Sequence, residues 1–320
     1  MQSNIHPGPS GIRQILSGLA LGIATWAAAA AFATAADPAP PDKPFLWRVE
    51  GNGIEKPSHL FGTIHLSNDR IRQLHPAAEQ AFDAAGAFHA EVTMEPAAQM
   101  AAAALMMRRD NRTLSDSIGP ELTEALADRL AEIQPGLDIA ILQPMKTWAA
   151  AMIVVMLPYQ LEGREALDQI LWNRAQAAGK TVHGLEEIAD QIGAFDVLDE
   201  DQQVLFLRET LATLEDGDDM MRQLIAAYEA GDEQTLGDLL TESMTFGENE
   251  DPAVIEAGEK LIKALIADRD TAMAAKIHEI LREDPARSHF FAVGAAHYLG
   301  DESIRKHLED KGYTITRVPE

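Results

Sequence analysis

The amino-acid sequence predicts an α/β fold: a mixed central sheet built from two repeated strand-helix-strand units, with a large helical insertion. Three observations carry this. Short apolar runs bounded by turn residues gather at the two ends of the domain. Long stretches with helical spacing of apolar residues fill the middle. One pattern also occurs twice: Ser58 to His65 (SHLFGTIH) and Ser288 to His297 (SHFFAVGAAH) each close an apolar strand with Gly-x-x-His.

In chain order, Phe45 to Gly51 (FLWRVEG) alternates as a first strand does, and GNGIEKPS after it supplies the turn of a hairpin. SHLFGTIH is the second strand. Pro76 through Ala85 reads as a helix with proline in its first turn. Phe88 to Met94 (FHAEVTM) is a third strand. Residues 97–178 follow a helical period, and their last helix, Glu165 to Ala178, stops at Gly179. Lys180 to Leu185 (KTVHGL) is a short strand, and residues 196–284 are again helical and acidic. SHFFAVG then leads through His297 to a helix near Asp301–Lys311 and a last strand, Tyr313 to Val318.

The formal net charge of −25 disfavours phosphate backbones, so nucleic acid is not an expected partner. The absence of cysteine excludes a disulfide framework, thiolate metal sites and a cysteine nucleophile. At the N-terminus, Arg13 is the only charged side chain before Asp37, and an apolar run from Ile15 to Ala33 ends in Ala33-Thr34-Ala35. This is the layout of a secretory signal peptide. The run is also long enough for an uncleaved anchor, but the small-residue site falls where it ends. The expected division is residues 1–35 as signal peptide, 36–44 as a Pro-rich leader and 45–320 as the folded domain. The mature protein is then periplasmic or secreted, with no stable membrane insertion after cleavage.

Parallel strands from the two units put both strand C-termini at one sheet edge, where ligand sites of open α/β sheets form. Each Gly-x-x-His sets an imidazole just beyond a strand, and glycine permits a sharp exit or close approach there. A single such histidine would be structural; the recurrence at His65 and His297 argues for function. Glu91 lies between apolar neighbours in the third strand, where a carboxylate is costly to bury without a partner. It is either a ligand or base, or an ion-paired structural acid. Glu186 follows the KTVHGL strand, and on its position alone it reads as favourable helix N-terminal charge. Two histidines with one or two carboxylates suit Zn, Mn, Fe or Co. No G-x-S-x-G or H-E-x-x-H occurs. Met94, Met100, Met106 and Met107 read as gap-filling core, and Trp148, Met152 and Met156 as one buried helix face.

The segments LWRVEGNG, LFGTIHLSNDRIRQLHPAAEQAF, AEVTM, ALDQILWNRAQAAGKTVHGLEEIADQIGAF, DRDTAMAAKI and FFAVGAAHYLGDESIRKHLEDKGYTITRV resemble, in order, those of TraB/GumN proteins. That family is similar to the Tiki metalloproteases and, more remotely, to erythromycin esterases and ChaN-like proteins. The resemblance implies an exported metal-dependent hydrolase acting on peptides or proteins. His65, Glu91 and His297 would hold a divalent ion, Mn or Co ahead of Zn. Glu186 would act as base, and Arg269 would stabilise a developing oxyanion. Asp270 stands where the resemblance expects asparagine, which puts any role of that amide in question. The competing readings are a non-catalytic periplasmic metal- or haem-binding protein and an accessory protein of polysaccharide export or conjugation.

Overall fold

The computed structural model describes residues 39–318 apart from 66, 67, 162–164, 213 and 247–249. The expected signal peptide, residues 1–35, lies outside them. Among the described residues, no helix is long and apolar enough to cross a membrane.

Six strands form one mixed sheet: β1 (Leu46–Gly51), β2 (Ser58–Thr63), β3 (Ala87–Val92), β4 (Thr181–Glu186), β5 (His289–Gly294) and β6 (Tyr313–Arg317), in the order β4-β3-β5-β2-β1-β6. β1 pairs antiparallel with β2 and with β6, and the other pairings are parallel. The hairpin turn falls on GNG as expected. Gly51 (φ 84°), Asn52 (φ 48°) and Gly53 (φ 86°) all adopt the left-handed region, which glycine and asparagine tolerate best.

The two units carrying Gly-x-x-His occupy unequal places in this sheet. β2, helix α1 (Pro76–Ala84) and β3 form a crossover that straddles β5. The last strand, by contrast, leaves β5 behind and pairs antiparallel with β1 at the far edge. The sequence repeat is therefore local to the two strand ends. Its central consequence holds: β2 and β5 are adjacent and parallel, with Thr63 opposite Gly294.

The middle of the chain is helical: α2 (Pro96–Met106), α3 (Leu114–Ile133), α4 (Thr147–Leu161), α5 (Leu167–Ala177), α6 (Ile188–Gly193), α7 (Glu200–Ala212), α8 (Leu214–Ala230), α9 (Glu233–Ser243), α10 (Pro252–Ile262) and α11 (Asp268–Glu283). α12 (Ile304–Asp310) precedes β6. Apolar burial divides in two. A sheet core joins Phe82, Phe88 and Phe290, whose rings meet edge-to-face or stacked, to Trp172 of α5. A helical core is built from α3, α4, α7 and α10 around Leu126, Trp148 and Phe206. The expected burial of Trp148, Met152 and Met156 is observed. Met100 departs from expectation and is 73% exposed.

Candidate active site at the sheet edge

The C-terminal ends of β2, β3, β4 and β5 bring His65, Glu91, Glu186 and His297 to one edge, and α11 adds Arg269. His65 follows β2 by two residues. His297 lies in a short turn of 3-10 helix, Ala295–Tyr298, directly after β5. The first motif's glycine makes room for the second motif. A Cβ on Gly62 would stand 3.0 Å from Ala295 Cβ and 3.1 Å from Phe45 Cβ. The Gly62 carbonyl accepts from the buried Tyr228 hydroxyl at 2.8 Å. We expect Gly62→Val to destabilise the fold by about 1–3 kcal/mol through overpacking. Thermal melting checks this, and an unchanged midpoint would contradict it.

Both imidazoles are buried and anchored in the same way. His65 Nδ1 donates to Asp168 Oδ2 at 2.9 Å, and Thr63 Oγ1 donates to Asp168 Oδ1 at 2.6 Å. His297 Nδ1 donates to Asp270 Oδ1 at 2.5 Å. Asp168 sits in the first turn of α5, where the helix dipole favours negative charge, whereas Asp270 lies within the continuous helical run that joins α10 to α11. The acceptor at Nδ1 sets the tautomer and leaves a lone pair at Nε2. Among the described residues, neither the buried Nε2 of His65 nor that of His297 has a hydrogen-bond partner.

Glu91 engages both of its oxygens. Oε1 accepts from Gln191 Nε2 at 2.6 Å and from Arg269, and Oε2 accepts from the Gly294 backbone N–H at 3.0 Å. His297 Nε2 lies 4.0 Å from Glu91 Oε1. Arg269 also donates through Nε to Glu186, at 3.0 and 3.2 Å, through Nη2 to Glu186, and through Nη1 to the Leu265 carbonyl at 2.9 Å. Its donors are largely committed to these acceptors, so Arg269 here bridges two carboxylates. A π-helical turn, Lys263–Ala267, runs directly into α11. Such turns often mark functional sites. Just beyond it, the consecutive residues Arg269 and Asp270 are both buried.

The electrostatics follow from this packing. Burial opposes the charge on Glu91, but Arg269, the two imidazoles and the Gly294 N–H overcome it and lower its pKa to about 2. Burial raises Glu186 from its ordinary value against the pull of Arg269, and Glu91 adds to the rise. Burial likewise raises Asp270, opposed by His297. For His65, burial is outweighed by Asp168 and Glu91, and the imidazole titrates above its usual value. Glu91 and Glu186 thus share one cation, Arg269, while Asp168 and Asp270 pair with the imidazoles.

Among the described residues, no group of three or more His, Cys, Asp or Glu side chains is arranged to hold a metal ion. Glu91 is turned onto Arg269, Gln191 and Gly294 instead. The chemistry of the cluster nevertheless fits a cation. It offers two orphaned imidazole nitrogens, each anchored through the other nitrogen by a carboxylate, as metal-ligating histidines are.

Sequence reasoning placed His65, Glu91, Glu186, His297 and Arg269 in this cluster. It missed Asp168, Gln191 and Thr63. Asp168 did leave a trace: it stands four residues before Trp172 on the inward stripe of α5, an acid on an apolar face.

Residues 45–317 match the TraB/PrgY/gumN family, and the chain belongs to that family. It is similar to the metalloproteases TIKI1 and TIKI2 of Danio rerio, at 23% identity over 314 and 317 residues. Each alignment covers 86% of this chain and 63% or 61% of the relative, so the chain spans a little over three fifths of their length. A metalloprotease TIKI homolog of Nematostella vectensis is 24% identical over 317 residues, covering 86% of this chain and 67% of its own. No solved structure matches the chain.

Proposed function

We propose that the protein is an exported metal-dependent hydrolase that cleaves peptides or proteins. The observation that carries this is the pair of buried, partnerless Nε2 atoms on His65 and His297, each set by an aspartate at Nδ1. The likeness to proteins named metalloproteases supports the reaction class. His65 and His297, with Glu91 as the oxygen donor, would hold a divalent ion, Mn or Co ahead of Zn. When bound, such an ion polarises a carbonyl and lowers the pKa of water.

The chain's own residues do the rest. Asp168 and Asp270 keep the imidazoles in one tautomer and one orientation. Glu186, whose carboxyl is raised by burial, would take a proton from the attacking water and return it to the leaving amine. Arg269 holds Glu186 against Glu91, so that two acids share one buried corner. The low dielectric there strengthens each of these interactions.

The test is to incubate the purified protein with a broad peptide library and Mn, Co or Zn. Cleavage that chelator abolishes is expected. Stoichiometric metal without any cleavage would overturn the hydrolase reading in favour of a metal-binding protein. Asp168→Ala and Asp270→Ala should each weaken metal affinity about 10–100-fold, because outer carboxylates orient the ligating histidines. Calorimetric titration measures this, and unchanged affinity would remove their positioning role. Export is proposed on the Ala33-Thr34-Ala35 site, with a mature N-terminus at Ala36. Mass spectrometry that finds residues 1–35 retained on membrane-bound protein would refute it.

A further inference from the structure

Beside the cluster lies an apolar cavity of about 300 Å³. Six of the chain's twelve methionines line it: Met94, Met106, Met107, Met145, Met152 and Met156. It borders the sheet-edge site directly. Val92 and Thr93, which follow Glu91, form part of its wall, and so do Ile188 and Ile192, which flank the Gln191 that holds Glu91. It also reaches solvent, since Ile141 lines it and is 49% exposed.

One wall is helix α2, PAAQMAAAALM. A helix apolar on all sides is expected to be buried, yet within α2 only Ala102 is buried. Its Ala102, Ala103 and Met106 face a space of the size that small-molecule and side-chain sites occupy, while Met100 is exposed. Methionine is flexible and polarisable, so a methionine wall adapts to several apolar shapes without selecting one. The polar members of the lining, Thr93, Gln99 and Gln160, offer hydrogen-bonding groups to a peptide backbone, which an acyl chain would leave unused.

We propose that this methionine-lined cavity is the subsite that seats an apolar side chain of the peptide next to the bond held at the sheet edge. The peptide identity of the ligand rests on the hydrolase reading above; the occupancy of the cavity does not. The selectivity expected is broad: methionine, leucine and phenylalanine accepted alike, and small polar or acidic side chains refused. An adaptable wall gives up discrimination among apolar shapes but still favours apolar over polar side chains, so at least about tenfold is expected between leucine and serine.

The experiment is methyl NMR of the Glu186→Gln protein labelled with ¹³C at the methionine methyls, which binds without turnover. It is titrated with acetyl-Ala-Met-Leu-Ala-amide, with acetyl-Ala-Ser-Asn-Ala-amide and with decanoate. The apolar peptide should shift the cavity methyls and leave Met273, buried in the sheet core, in place. The polar peptide should bind about tenfold or more weakly. Ala103→Trp, on the half-buried wall of the cavity, should abolish the shifts, and Met106→Ala should widen acceptance towards larger side chains. A melting curve confirms that each variant folds. Equal binding of both peptides, no shift with either, or shifts with decanoate alone would overturn the proposal. The wild-type enzyme separates the two readings. Binding of the apolar peptide in the cavity without cleavage would refute the hydrolase and leave the subsite; cleavage without apolar preference would do the reverse.

Discussion

Glu186→Gln is expected to lower turnover about 10²–10⁴-fold while metal content and folding survive, the usual contribution of a general base. The amide matches the carboxylate in size but cannot take up a proton. It can still accept from Arg269 Nε through its carbonyl oxygen, so the bridge to Glu91 is weakened without being lost. His65→Ala and His297→Ala should behave differently. Each removes one of the two partnerless Nε2 atoms, so each should lose the ion and nearly all activity. Steady-state kinetics with parallel metal analysis reads all three variants. If Glu186→Gln loses metal together with activity, Glu186 is a ligand, and Glu91 becomes the better base.

Arg269→Ala should be the most destabilising single change in the cluster, by about 3–5 kcal/mol, because it leaves Glu91 and Glu186 buried without their shared cation. Urea denaturation measures it. The pH dependence gives a second reading. Glu91 titrates well below its ordinary value of 4.5, so its contribution in the wild type is present above about pH 4.5 and is lost as pH falls towards 2. Without Arg269 that contribution is absent, and ionising Glu91 in the folded state becomes a cost. Glu186 and Asp270 already carry the opposite sign: their raised values mean that stability falls as pH rises through the carboxylate range. The deficit of Arg269→Ala should therefore be largest near pH 7 and narrow below about pH 5, as the acids take up protons. Arg269→Met combined with Glu91→Gln should recover part of the loss, since a buried pair replaced whole costs less than one broken. A deficit that is small and independent of pH would mean that water reaches these carboxylates.

The parts of this account visible in the sequence are those with local signals. LWRVEG, SHLFGT and HFFAVG are apolar, of strand length and bounded by turn residues, and each forms a strand within a residue or two of expectation. Both Gly-x-x-His motifs stand at strand ends for the same reason. What stayed hidden depends on distance along the chain. Asp168 meets His65 across 103 residues, and its place on the inward stripe of α5 does not name that partner. Asp270 reads as a departure from an expected asparagine. In the fold it anchors His297, which a carboxylate does at least as well as an amide carbonyl. The pairing of β6 with β1, which breaks the symmetry of the two units, carries no local signature either. α2 misleads in the other direction: its composition promises burial, while one side of it lines a cavity and Met100 is exposed.

The most direct measurement is the metal content of the purified protein, by inductively coupled plasma mass spectrometry, for the wild type and for a His65→Ala/His297→Ala double variant. The account predicts one divalent ion per chain in the wild type after saturation with Mn or Co, and none in the double variant with folding retained. A wild type that binds no stoichiometric ion, or a double variant that binds as well as the wild type, would contradict it.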